Sequence, residues 1–254
     1  MKLLKAMVIA FSIYSKIPVP QFEWKEEDME YMMCFFPWIG GVIGLFFYGW
    51  TVLCEKLAIG NVCYALIAAA IPLMISGGFH VDGYMDTMDA FHSYQSREKK
   101  LEILKDSHIG AFAVIRLCSY FAAYLALCAC VDFTPRVGLC WTLALVLERA
   151  LSGLAVASFP MAKNTGLAHT FATAADRVRV RQVLAVLCAM LAVGLTALGG
   201  WALVLAAGCT FARYYVVAKK QFGGVTGDLA GWFLQKAELW MLAALCACQW
   251  GGLL

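Results

Sequence analysis

The sequence predicts an all-α, polytopic integral membrane protein with about seven transmembrane helices, organised as one domain over residues 1–254. Hydrophobic residues make up 62% of the chain and charged residues 15%, with a mean hydropathy of +0.74. Soluble domains carry roughly 45–50% apolar and about 25% charged residues. Seven apolar stretches approach the roughly 20 residues that a bilayer core requires. The basic residues between those stretches fall almost entirely on alternate loops.

The amino-terminal MKLLKAMVIAFSIYSKIPVP has Lys2 and Lys5 ahead of a short apolar run, as in a signal peptide. Lys16, Pro18 and Pro20 stand where small cleavage-site residues belong, so the segment is expected to stay attached. Its run is too short to span, which predicts an interfacial or re-entrant segment. The seven expected spans are residues 31–54, 57–79, 109–131, 137–159, 182–200, 201–218 and 237–254.

Residues 1–30 and the loops 80–108, 160–181 and 219–236 hold fifteen Lys or Arg, whereas the intervening turns hold only Lys56 and Arg136. This asymmetry predicts that the amino terminus and the three long loops face the cytoplasm. Seven crossings then put the carboxyl terminus outside. Arg116, Arg149, Arg213 and Glu148 fall inside expected spans. Arg116 and Arg213 are near span ends and able to snorkel, whereas Glu148 and Arg149 favour a polar cavity at mid-span. The net charge of +3 is too small to imply a nucleic-acid partner. The eleven cysteines lie almost entirely in apolar stretches with no CxxC pair, and read as core or lipid-facing residues.

Gly77 to Asp106 packs six carboxylates and four Lys or Arg between two long apolar segments. Asp82, Asp86 and Asp89 are spaced i, i+4 and i+7, which puts them on one helical face. Like charges so close call for a cation among them, and an all-oxygen ligand set favours Mg²⁺. The plainer reading is a solvated loop whose acids balance Lys99, Lys100 and Lys105; the three aspartates precede that basic run and sit among apolar neighbours, which favours the metal. Gly77, Gly78 and Gly83 predict a helix break or a close backbone approach.

A second stretch, GGVTGDLAGWFLQKAE over 223–238, sets Asp228 and Glu238 ten residues apart near one helical face. Gly223, Gly224 and Gly227 are suited to a phosphate cradle or, equally, to a turn with a helix cap. GGFHVD and GGVTGD both place an Asp after a Gly pair, a faint internal echo. Loop 160–181 carries Lys163, Asn164, Thr165, His169, Arg177, Arg179 and Arg181, a set that serves either substrate phosphates or anionic lipid. His80, beside the acidic cluster, is a candidate base or ligand as well as a candidate structural histidine. Hard cations held by aspartates at a bilayer surface suit transfer reactions with a nucleotide or diphosphate leaving group.

With these residues in view, nearly the whole chain resembles the adenosylcobinamide-GDP ribazoletransferase (cobalamin synthase) family. The resemblance rests on SKIPVP, GGFHVDGYMDTMDAF, REKKLEILKDSHIGAFAV, the Glu148-Arg149 pair with KNTGLAHTF, and GGVTGD. The chain departs from the family pattern at Lys16 (Arg expected), at Tyr84-Met85 (Leu-Ala expected) and at Ala90 (Gly expected), without loss of a carboxylate. The resemblance implies an enzyme of the bacterial cytoplasmic (inner) membrane with its active site facing the cytoplasm. It implies attack by a ribose hydroxyl of α-ribazole, or of its 5′-phosphate, on adenosylcobinamide-GDP, with release of GMP and a requirement for Mg²⁺. On that reading Asp82 and Asp86 bind metal, Asp89 is a third ligand or the base, and Asp228 and Glu238 complete the metal site; His80 stays a candidate catalytic residue from its place beside the cluster. Lys105, Arg116, Arg149, Gly223 and Gly224 then bind substrate. The partners are the two substrates and the bilayer; a homo-oligomer is compatible with the sequence.

A CDP-alcohol phosphotransferase and a prenyltransferase with two acidic motifs are the neighbouring enzyme readings. The former family places Ala-Arg after its first Asp-Gly, where Met85-Asp86 stands here. A transporter would set its acids at mid-membrane, whereas these cluster at one face.

Overall fold

The computed structural model describes residues 2–132, 134–163 and 166–254. Among them every regular element is helical, and the one β-type contact is an isolated parallel bridge between Met161 and Val225. The helices are α1 (Lys2–Tyr14), α2 (Met32–Leu57), α3 (Asn61–Ser76), α4 (Phe79–His92), α5 (Arg97–Ile103), α6 (Ala111–Cys130), α7 (Pro135–Ser158), α8 (Leu167–Ala174), α9 (Arg177–Ala197), α10 (Trp201–Val217) and α11 (Gly227–Trp250).

Local chemistry explains where these elements begin and stop. Thr134 caps α7 by accepting from Val137 N at 3.3 Å, and Pro135 follows at the first helical position. Thr226 caps α11 through Leu229 N at 3.2 Å. Gly77 and Gly78, at φ +67° and +82°, end α3 and start α4 at 95° to it. Two successive residues with positive φ are readily supplied only by glycine. Lys16 N donates to Ile75 O at 2.7 Å, and its aliphatic stem covers Gly77, so the amino-terminal segment is tied to the break.

Five helices are long and apolar enough to cross a membrane: α2, α6, α7, α9, and α10 with its π-helical extension to Phe222. The bent pair α3 and α4, counted as one broken span, makes six. Two of the seven expected spans, 57–79 and 237–254, fall outside those five, although α11 still runs from the acidic end of the bundle to the end that holds Leu253 and Leu254. The stretch 57–79 contains a helix of only 16 residues, about 24 Å long at 1.5 Å per residue. The stretch 237–254 is the second half of α11, whose first half carries Asp228, Lys236 and Glu238. With 13 residues, α1 is likewise too short to span and packs against α2.

The central helix is α7, which packs against α2, α9 and α11. Gly40 and Gly44 of α2 let it approach α7 backbone to backbone, since a Cβ on Gly40 would overlap the Leu145 carbonyl. The turns between α2 and α3, α6 and α7, and α9 and α10 gather at one end, where Asn61 donates to Ala129 O (2.9 Å), Gln249 to Asp132 O (2.6 Å) and Arg136 to Leu198 O (2.9 Å). The carboxyl terminus lies there too, with Leu253 and Leu254 beside Gly199. The long basic loops are at the other end. All eleven cysteines are free.

α4 and α11 meet at two glycines. A Cβ on Gly83 would stand 2.8 Å from Asp228 Cα, and one on Gly231 2.6 Å from His80 O. The two helices therefore run antiparallel here at the closest spacing their backbones allow. Gly231→Ala is expected to destabilise the protein by about 1–3 kcal/mol through overpacking. Loss of activity should accompany a lower melting temperature in detergent; an unchanged melt with full activity would contradict this contact.

Candidate functional site

Because α4 and α11 cross at Gly83 and Gly231, their first turns share one end of the bundle, and the two Gly-Gly-Asp stretches of the sequence meet there. Asp86 interacts electrostatically with Asp82, Asp228 and Asp89, and with Lys163. Asp82 is exposed, while Asp86, Asp89 and Asp228 are half-buried.

Beside them is a cavity of about 290 Å³ whose walls include Asp82, Lys105, Lys163, Thr226, Gly227 and Asp228. Its floor comes from pairing of two loops. Val225 N donates to Pro160 O at 2.8 Å, and Ala162 N to Val225 O at 3.0 Å. That pairing brings Lys163 to the acids. Burial pulls the Lys163 ammonium below its usual range and Lys105 adds to this, while Asp228 and Asp86 oppose it. The cavity thus sets two cations opposite a carboxylate group, an arrangement suited to a phosphate-bearing ligand whose charge a metal helps neutralise.

Other expected site residues lie elsewhere. Asp89 is turned to the start of α6, where Ala113 N donates to its Oδ1 at 3.3 Å and a Cβ on Gly110 would overlap the carboxylate. It serves as an anion at a helix N-terminus. His80 is 4% exposed and lies among Tyr14, Phe36 and Phe79, below the cavity. Gly224 has no side chain because backbone of Pro160, Met161 and Ala162 occupies that space. Gly223, at φ +79°, lies under the Arg97 guanidinium, whose Nε donates to Phe222 O at 3.1 Å. These two glycines thus build the turn, and of that triplet Gly227 reaches the cavity.

Arg149 and Glu238 are separated from the surface acids. Ten residues along α11 from Asp228, about 15 Å, Glu238 accepts from Arg149 Nη2 at 3.2 Å. Arg149 also pairs with Glu148, and all three are at most 1% exposed. Arg116 is exposed on α6, and its carbonyl accepts from the Tyr84 hydroxyl at 3.4 Å. Among the later acids, Glu102 pairs with Lys99 (2.8 Å) and Asp106 with His108 (2.7 Å) at the surface. Asn164 and Thr165 lie outside the described residues. Lys163 was one of seven candidate residues in its loop, and no sequence spacing singles it out.

The donor set fits Mg²⁺. Among the described residues no three His, Cys, Asp or Glu side chains already converge on a point that would hold an ion. Mg²⁺ does not require that, since it usually keeps several waters and binds through one or two carboxylates plus substrate phosphates. Asp82, Asp86 and Asp228 supply such carboxylates next to a cavity with room for the phosphates.

The cobalamin-5-phosphate synthase family profile matches residues 6–246. A protein of Lachnoclostridium phytofermentans named adenosylcobinamide-GDP ribazoletransferase is 45% identical over 94% of this chain and 92% of its own length. Proteins of the same name from Clostridium perfringens strain SM101 and from a Geobacillus species are each 30% identical. They cover 92% of this chain and 94% and 92% of their own lengths. No solved structure matches the chain significantly. A match over nearly the whole length, in a helical membrane-type fold whose two Gly-Gly-Asp segments form one acidic site, settles the relationship: the chain belongs to the cobalamin-5-phosphate synthase family.

Proposed function

We propose that this chain transfers α-ribazole, or its 5′-phosphate, onto adenosylcobinamide-GDP at the cavity between α4 and α11, on the cytoplasmic side of a bacterial inner membrane. The observation that carries the reading is the meeting of Asp82, Asp86 and Asp228 with Lys105 and Lys163 around one cavity. The relatives' shared name supplies the substrates. A cavity of about 290 Å³ takes the diphosphate end of the nucleotide and leaves the far larger corrinoid outside.

A ribose hydroxyl oxygen attacks the cobinamide-linked phosphorus, the bond from that phosphorus to the bridging oxygen breaks, and GMP departs with that oxygen. Lys105 and Lys163 hold the diphosphate and offset the charge that grows on the leaving phosphate. Asp82 and Asp86 would hold Mg²⁺, which supplies charge neutralisation and alignment of the two substrates when bound. The half-buried Asp228, on the cavity wall, takes up the hydroxyl proton. Fourteen basic residues in the amino-terminal segment and the loops at this end, Lys236 being inside α11, support the cytoplasmic orientation.

The test is purified protein in lipid with Mg²⁺, adenosylcobinamide-GDP and α-ribazole, following GMP release together with cobamide formation. Consumption of CDP-diacylglycerol with no corrinoid product would overturn the proposal. Lys163→Met is expected to raise KM for the nucleotide substrate about 10–100-fold, the loss of one charge-assisted phosphate contact. An unchanged KM would remove Lys163 from the site.

A further inference from the structure

Three cations from three helices converge on the side of α11 turned away from Glu238. Lys236 interacts electrostatically with Arg213 of α10 and Arg116 of α6, and its Nζ lies over the Tyr84 ring, 5.5 Å from the centroid. Lys236 and Glu238 are two residues apart, so helical geometry turns them to opposite sides of α11. Arg213 and Lys236 line a cavity of about 300 Å³ between α10 and α11, with Thr210 and Trp240 on its wall. This cavity shares no lining residue with the one at Asp82 and Asp228.

Among the described residues no carboxylate forms a salt bridge with Arg116, Arg213 or Lys236. The surrounding surface is apolar, with Ile115, Tyr215, Val216 and Trp240 exposed. Since α6 and α10 have the length and composition of membrane spans, that surface meets lipid. Arg213 precedes Phe222, and Lys236 follows Gly227, by nine residues each. Both are then about 14 Å from the helix ends, deep enough that a side chain must reach up toward the headgroups. Three like charges in such surroundings are unfavourable unless an anion joins them.

We propose that Arg116, Arg213 and Lys236 form a membrane-facing site for a phosphate ester, filled by the headgroup of an anionic phospholipid lodged between α10 and α11. Proton uptake or bond cleavage plays no part; the site binds. It stands independently of the transferase reading.

The protein in detergent is titrated with phosphatidylglycerol and with phosphatidylcholine, and lipid adducts are read by native mass spectrometry. The comparison includes the Arg213→Gln/Lys236→Met double variant and the charge-keeping Arg213→Lys/Lys236→Arg pair. Wild type and the charge-keeping pair should bind phosphatidylglycerol selectively, and the double variant should lose affinity roughly fivefold for each charge removed. Equal phosphatidylglycerol binding by the double variant, or no preference over phosphatidylcholine in wild type, would overturn the site. Inorganic phosphate in excess separates the two sources of the ligand. Phosphatidylglycerol that stays bound supports the lipid, whereas its displacement reassigns the cluster to a soluble phosphate ester and overturns the lipid assignment.

Discussion

Asp82→Asn and Asp86→Asn are each expected to reduce GMP release and cobamide formation by about 10²–10³-fold or more, the scale on which removal of a group that stabilises developing charge acts. Asn keeps the size of the side chain and can still coordinate through its carbonyl oxygen, but it lacks the negative charge that a hard divalent cation requires. Asp86 is the more informative of the two. It lies within electrostatic reach of Asp82, Asp89 and Asp228, so its neutralisation relieves like-charge repulsion and should leave folding intact or improved. Loss of turnover with an undiminished melting temperature is therefore the expected pair of results. Full activity in both variants would remove the metal site from the reading. Asp89→Asn should behave differently, as a helix-capping change with a modest loss of stability.

Arg149→Met is expected to be the most destabilising single substitution in the chain, by about 3–5 kcal/mol, because it leaves two carboxylates buried without their partner. Glu148 and Glu238 both face the Arg149 guanidinium, and all three are at most 1% exposed. Arg149 Nη1 also donates to Leu145 O at 3.1 Å, which anchors the guanidinium along α7. The measurement is the melting temperature and monodispersity of the purified protein in detergent. Glu148→Gln/Arg149→Met/Glu238→Gln should recover much of the loss, since replacing a whole buried ionic cluster costs far less than removing one member. A single Arg149→Met variant that melts like wild type would show that this cluster contributes little to the fold.

The glycines divide by how local their task is. Gly77 and Gly78 were readable as a helix break because two positive-φ residues act on the chain immediately around them. Gly83 was readable as a close approach, but its partner, the Asp228 backbone, is 145 positions away and carries no local mark. Gly223 and Gly224 suggested a phosphate cradle or, equally, a turn with a helix cap, since a glycine pair looks the same whether a ligand or another loop fills the space above it. Here Arg97 and the 160–162 backbone fill it.

Glu238 illustrates the same limit. Helical periodicity put it on a face with Asp228, yet ten residues of α11 carry it from the end of the bundle into the core. Periodicity reports direction around a helix axis and says nothing of depth along it. The start of the span 237–254 was set too late for a related reason. Hydropathy begins a span where charges end, whereas α11 begins at its Thr226 cap and keeps its charges inside, paired with Arg149 or gathered at Lys236.

The sequence by itself determined the helical membrane class, the break at Gly77 and Gly78, and the acids of the candidate site, because apolar run length, turn chemistry and i, i+4 spacing are properties of contiguous residues; the family followed from the resemblance of its motifs. Only the tertiary structure decided that Asp228 joins Asp82 and Asp86 while Asp89 caps α6, that Lys163 enters the site, and that Glu148, Arg149 and Glu238 form a separate buried cluster. Those outcomes depend on which backbones can approach closely, and that is set by glycine contacts between distant helices.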